Sequence, residues 1–168
     1  IVDRYFEAVK DLGVKNDFKG LDFFISPENQ YDITKLPSGF QNGYHAFVIG
    51  GTYKTKILPA VKIVEVIKKV DEPVVLLGGP DDVERADEVL LSVNENVISL
   101  VGKINLEQSA SLVKMSKSVL TNDTGLMHIA AAFHKNIVSV WGNTVPELGM
   151  YPYLPNEDEK CHIVECKD

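Results

Sequence analysis

Apolar residues fall along this chain in two patterns, short unbroken runs and longer stretches that recur at helical spacing. From Tyr44 onward the two alternate regularly. HAFVIG (45–50) predicts a buried strand, and PAVKIVEVIKKV (59–70) a helix with Pro59 in its first turn. PVVLLGG (73–79) is the next strand, 81–93 a helix opened by Asp81-Asp82, and NVISLVG (96–102) a third strand. A helix over 106–116 follows Asn105, SVLTN (118–122) is a fourth strand, and 125–134 a helix. NIVSVWG (136–142) and HIVEC (162–166) complete six strands. Upstream, 1–13 reads as an amphipathic helix ended by Gly13, and LDFFIS (21–26) as a short strand. Residues 26–43 carry the Pro, Gly and Asn signals of a loop or linker.

Strands that are apolar throughout must be covered on both faces, which a parallel sheet with crossover helices achieves. Right-handed crossovers make the expected fold a Rossmann-like, doubly wound parallel α/β sheet. The expected division is a helix and linker over 1–43 and a Rossmann-like domain over 44–168. The chain opens at Ile1 inside a helical pattern and closes at Asp168 after an apolar segment, which reads as a piece of a longer protein.

In an open α/β sheet, ligands bind where the carboxyl ends of the strands meet their following loops. The most selective of these loops lies in TNDTGLMHIAAAF (121–133), between a strand end and an apolar helix. Asn122, Asp123, Thr124 and Gly125 occupy the turn. They fit an ordinary capped helix, with Asp123 or Thr124 as the cap, or a backbone site for an anion. His128 follows Thr124 by four residues and rises on the same helical face. The loop GGTYKTKILP (50–59) brings two glycines, the Thr52 hydroxyl and the positive charges of Lys54 and Lys56. Lysine serves phosphate as a point charge. In GGPDDVER (78–85), Asp81 and Asp82 read as compensation of the helix dipole. Glu84 is equally a candidate acceptor for ribose hydroxyls. Asn105 and Gln108 form a capping box in GKINLEQSA (102–110), and Ile104 presents an apolar surface to a flat ring or packs within the loop. WGNTVPE (141–147) either finishes the wall of a crevice or is a plain turn. Neither GxGxxG nor a P-loop is present.

Composition narrows the possibilities. The chain has 168 residues, 45% hydrophobic and 24% charged, which suits one soluble globular domain. A net charge of −7 argues against a general nucleic-acid binder. No apolar run approaches the roughly 20 residues of a membrane span, and no secretory signal pattern opens the chain. Cys161 and Cys166 face opposite sides of an extended segment, so both are expected as free thiols in a reducing cytoplasm. His134 and His162 are expected at the surface. No nucleophile with its base and no metal-ligand cluster emerges. The loops alone suggest a site for a phosphorylated, nucleotide-like ligand.

With these loops laid out, the chain resembles the bacterial ADP-heptose:lipopolysaccharide heptosyltransferases, glycosyltransferases of family 9 with GT-B architecture. The likeness is best at NDTGLMHIAAA (122–132), with its D-[ST]-G-x-x-H-[IL] signature. GGTYKTKILP (50–59), LLGGPDDVERA (76–86), LVGKINLEQSASLV (100–113) and VSVWGNTVPE (138–147) support it. The resemblance implies the C-terminal, donor-binding half of such an enzyme. Asp123 would contact heptose hydroxyls, and Thr124 and Gly125 the diphosphate with His128 beside it. Thr52 and Lys56 would reach the diphosphate from across the cleft, Glu84 the adenosine ribose, and Ile104 the adenine. It further implies inverting transfer to lipopolysaccharide core at the inner face of the cytoplasmic membrane, with peripheral membrane contact. No metal or cofactor takes part beyond the nucleotide-sugar substrate. The family's general base is an aspartate of the N-terminal domain, which matches no position here, so the chain alone is expected to bind donor without turnover. Two alternatives stay open: a GT-B transferase using another nucleotide sugar, and a non-catalytic α/β module that docks a partner through its sheet-end loops.

Overall fold

The computed structural model describes residues 2–51, 53–142, 146 and 150–165. Six strands form one sheet: β1 (His45–Val48), β2 (Val74–Leu77), β3 (Val97–Ser99), β4 (Ser118–Asn122), β5 (Asn136–Trp141) and β6 (Cys161–Glu165). Their order is β3-β2-β1-β4-β5-β6, and every neighbouring pair is parallel. This is the doubly wound order, in which the winding reverses between β1 and β4. His45 sits opposite both Val74 and Ser118, so β1 is the central strand on which the two halves register.

The period of two along each strand divides the core between the two faces of the sheet. Ala46 and Val48 of β1, with Val75 and Leu77 of β2, join a cluster containing Leu112, Ala130 and Ile137. Phe47, Val74 and Leu76 turn the other way, into a cluster with Ile63, Ala86 and Val89. The first face is covered by α5 (Leu106–Met115) and α6 (Gly125–Ala132), the second by α3 (Ala60–Ile67) and α4 (Val83–Leu90). Strands buried on both sides cannot show polar alternation, which is why VVLL (74–77) is apolar at every position and wholly buried.

The elements begin where their local chemistry allows. Pro59 stands at the N-cap of α3 rather than inside its first turn. The Asn105 side chain accepts the Gln108 N–H at 2.8 Å, and the Gln108 side chain accepts the Asn105 N–H at 3.1 Å. The predicted capping box is thus formed. The segment 81–93 starts as a tight turn over Pro80–Asp82 before α4 begins.

Upstream of the sheet, α1 (Val2–Ala8) continues into a turn over Lys10–Leu12, and Gly13 closes it at φ 74°. A one-turn helix, α2 (Ser38–Gln41), buries Phe40 against the sheet cluster. The strand expected over LDFFIS does not form. Residues 21–26 keep the alternation of a strand, with Phe23 and Ile25 packed on the core and Phe24 exposed. Their burial comes from packing on the core cluster rather than from pairing with a neighbouring strand. The Phe23 ring meets Phe133 edge-on at 6.0 Å. The backbone N–H of Ser26 donates to Glu107 at 2.8 Å, which ties this segment to the start of α5.

Candidate functional site

The carboxyl ends of β1 and β4 lie side by side at the reversal of strand order, and their loops open a cleft of about 850 Å³. On the β1 side, the Ile49 N–H still bonds to the Leu77 carbonyl at 2.9 Å, and then the chain leaves the sheet through Gly50-Gly51. A tight turn over Lys54–Lys56 follows and carries Lys56 back over the cleft, where its ammonium pairs with the Asp123 carboxylate. The Lys56 side chain is 22% exposed and that of Asp123 7%, so the pair lies largely out of water. The ammonium also stands 6.0 Å from the centre of the Tyr53 ring.

On the β4 side, the Asn122 amide is buried and donates to the Gly50 carbonyl at 3.3 Å, joining the two loops. Thr124 is the N-cap of α6 in extended geometry, which decides between Asp123 and Thr124 as the cap. Its hydroxyl does not bond to the helix. It lies 3.3 Å from the Thr121 hydroxyl, so the Thr124 side chain does not cap the N-terminal N–H groups of α6. Such N–H groups, at the positive end of the helix dipole, form an anion site. A Cβ built on Gly125 would meet nothing within 4 Å, so the approach to this helix end is open.

The far wall is Gly78-Gly79-Pro80 with Asp82 and Arg85, and the cleft runs on to Ile104, Asn105 and Leu106. Asp82 is 6% exposed and more than a dipole-compensating surface acid. One carboxylate oxygen accepts the Gly79 N–H at 2.9 Å and the other the Arg85 guanidinium at 2.8 Å. Arg85 in turn donates to the Ile49 carbonyl at 3.1 Å. Asp82 and Arg85 thereby brace the glycine turns after β1 and β2 against each other. The sequence carried one sign of this, an acid three positions after a glycine at a turn, but its burial depends on the facing loop.

Lys56, Ile104, Asp123, Thr124 and Gly125 all line this one cleft. Glu84 is exposed on the first turn of α4 and is not among the lining residues. His128 faces a neighbouring groove of about 590 Å³, formed with Tyr5, Phe6, Val9 and Tyr153. Burial pushes its imidazole below the usual histidine range, and the negative charge of Asp123 partly opposes that shift. Thr52, the Asn143-Thr144 wall, Glu147 and Cys166 lie outside the described residues. Cys161 is a free thiol, and burial raises its pKa. Among the described residues, no three His, Cys, Asp or Glu side chains gather as metal ligands would, and no helix is long and apolar enough to cross a membrane.

Comparison with known proteins agrees with this architecture. The family model described as glycosyltransferase family 9 (heptosyltransferase) matches residues 1–167. Lipopolysaccharide heptosyltransferase 2 of Escherichia coli strain K12 is 34% identical over 98% of this chain and 50% of its own length. Lipooligosaccharide heptosyltransferase 2 of Haemophilus influenzae is 31% identical over 61% of this chain and 30% of its own. Among solved structures, E. coli heptosyltransferase WaaC with ADP superposes with a TM-score of 0.71 at 27% identity, covering 95% of this chain and 48% of that one. A family 9 glycosyl transferase from Veillonella parvula shares the fold, with a TM-score of 0.79 over 99% of this chain and 49% of that one. The chain spans about half the length of the E. coli relative. A sheet wound in this order, a lysine and an aspartate meeting at its reversal, and a match from end to end lead to one assignment: the chain belongs to glycosyltransferase family 9, the heptosyltransferases.

Proposed function

We propose that this chain is the C-terminal, donor-binding half of a GT-B heptosyltransferase and that its cleft takes an ADP-sugar such as ADP-heptose. One observation carries the reading: Lys56 and Asp123 meet across the strand-order reversal, beside the N-terminus of α6, which the Thr124 side chain does not cap. The solved relative described with ADP supports the choice of nucleotide. In this reading the diphosphate lies between Lys56 and the N–H groups at Thr124–Gly125, and the adenine rests near Ile104. The nucleoside sits toward the Glu84 side, and the family resemblance assigns Thr52 and His128 to the phosphates as well, His128 from the adjoining groove that it lines.

Transfer inverts the anomeric carbon. An acceptor hydroxyl attacks, a base takes its proton, and ADP departs carrying new negative charge. Lys56 and the helix N–H groups stabilise that charge, and one such donor is typically worth about 3–4 kcal/mol in the transition state. The base is supplied from the N-terminal half of the enzyme, so this chain binds donor without turning it over. The acceptor is lipopolysaccharide core, met at the cytoplasmic face of the membrane through that other half. No metal or cofactor enters the scheme.

Titration calorimetry with ADP, UDP, GDP and CMP tests the reading. The expected result is selective ADP binding that Lys56→Ala weakens at least about tenfold while Lys62→Ala leaves it unchanged. A folded chain that binds no ADP at millimolar concentration overturns the proposal. Preference for UDP or GDP moves the chain to a different donor sugar.

A further inference from the structure

The carboxyl end of β5 is pressed against the lysine-bearing turn. A Cβ built on Gly142, the residue after β5, would stand 2.8 Å from the Thr55 carbonyl oxygen. Carbon normally meets a carbonyl oxygen at about 3.3–3.6 Å, and the neighbour here is backbone, so no side-chain rotation relieves the contact. The packing decides which partner would yield. β5 is paired on both sides, with Val140 opposite Asn122 of β4 and Trp141 opposite Glu165 of β6. Trp141 is buried, and its indole N–H donates to the Ser139 hydroxyl at 3.0 Å. The turn over Lys54–Lys56 is held by the Lys56 N–H, which donates to the Tyr53 carbonyl at 2.9 Å, and Thr55 is exposed. A Cβ at position 142 would therefore displace the turn and not the strand. The Thr55 carbonyl and the Lys56 nitrogen belong to one planar peptide, so the displacement passes directly to the base of the Lys56 side chain.

Resting on the reading of this cleft as a nucleotide-sugar site, we infer that Gly142 is a positioning residue for diphosphate binding: its missing side chain lets the Lys54–Lys56 turn seat against the end of β5 and so sets Lys56 over the cleft. Gly142 acts through Lys56 and not through a contact of its own with the ligand. The lysine stem is flexible and absorbs part of any shift of the turn, so the effect of a Cβ at position 142 stays below that of removing the ammonium. The glycine of WGNTVPE is then more than part of a plain turn.

The test is calorimetric titration of ADP into this chain and into its Gly142→Ala, Lys56→Ala, doubly substituted and Gly39→Ala forms, each checked by thermal unfolding. Gly142→Ala is expected to weaken ADP by about 3- to 10-fold, less than Lys56→Ala does. Gly39→Ala should leave binding unchanged, since a Cβ there meets nothing within 4 Å. In the Lys56→Ala background, Gly142→Ala should cost no further affinity, because the side chain it positions is gone. Unchanged ADP binding by a folded Gly142→Ala chain overturns the inference. An equal loss without Lys56 also overturns it, since Gly142 would then act on the ligand directly or on the cleft as a whole. A wild-type chain that binds no ADP sinks the nucleotide-sugar reading itself, and the inference with it. If Gly142→Ala fails to fold, amide NMR at saturating ADP decides. The Gly142 signal should shift when Lys56 is present and keep its free position in Lys56→Ala. No shift with Lys56 present, or one that survives its loss, overturns the inference.

Discussion

Gly50 and Asp82 share one corner of the cleft, and the Asp82 carboxylate fills the space that a Cβ at position 50 would need. The same carboxylate lies within 3.0 Å of a Cβ built on Gly78. The two glycine turns and the buried acid are thus one packing unit, in which each requires the others.

Substitution at either residue should therefore be costly, and the two costs should overlap. Gly50→Ala forces Asp82 off its partners at about 1–3 kcal/mol, a typical overpacking penalty. Asp82→Ala costs about 2–3 kcal/mol, toward the low end for breaking a buried pair because Arg85 keeps some contact with water. In the double variant the loss should fall short of the sum by at least about 0.5 kcal/mol. Urea unfolding of the four chains measures this, and strict additivity would mean that the two residues do not share the corner.

His128 links stability to pH. Because burial holds its pKa below the ordinary 6.5, the unfolded chain binds this proton more readily than the folded one. The stability contributed by the neutral ring is complete above about pH 6.5 and is lost as pH falls through the folded-state pKa. Wild type should lose more Tm than His128→Gln between about pH 7.5 and pH 5.5. A proton NMR titration should place the His128 midpoint under 6.5, and a higher midpoint would mean that Asp123 outweighs burial.

Tyr44 tests a hydrogen bond in the core. Its hydroxyl is buried and donates to the Leu112 carbonyl at 2.7 Å, and burial raises its pKa so that it stays protonated. The Leu112 carbonyl also accepts the Ser116 N–H at 3.0 Å, so removing the hydroxyl does not orphan it. Tyr44→Phe should therefore cost only about 0.5–1.5 kcal/mol in chemical unfolding. A loss well above that would show a packing change at β1.

The α5 cap is separable from its second contact. Asn105 caps the helix through Gln108 and also donates to the Asn29 side chain at 2.8 Å. Asn105→Ala should lose about 1–2 kcal/mol, while Asn105→Asp keeps the cap and should lose less than about half of that. Thermal unfolding of both variants distinguishes capping from the tether to Asn29.

Much of this architecture was legible beforehand because strand and helix follow from local periodicity. SVLTN forms the strand expected of it residue for residue, and Asn105 forms its capping box as read. LDFFIS shows where that reasoning fails. Its alternation is real, but alternation reports a face in contact with the core and does not say whether a strand or a helix supplies the contact. Asp82 shows the converse, since nothing local separates a surface acid from one enclosed by a facing glycine turn.

The amino-acid order, then, determined the alternation of strands and helices, their helix caps and the identity of the polar turns, because these depend on neighbours a few residues apart. Only the tertiary structure decided that Lys56 and Asp123, 67 residues apart in the chain, would pair, that Asp82 would be buried, and that His128 would face a separate groove. Those outcomes depend on strand order, and strand order is set by the packing of helices on two faces of a sheet, which no local window of residues contains.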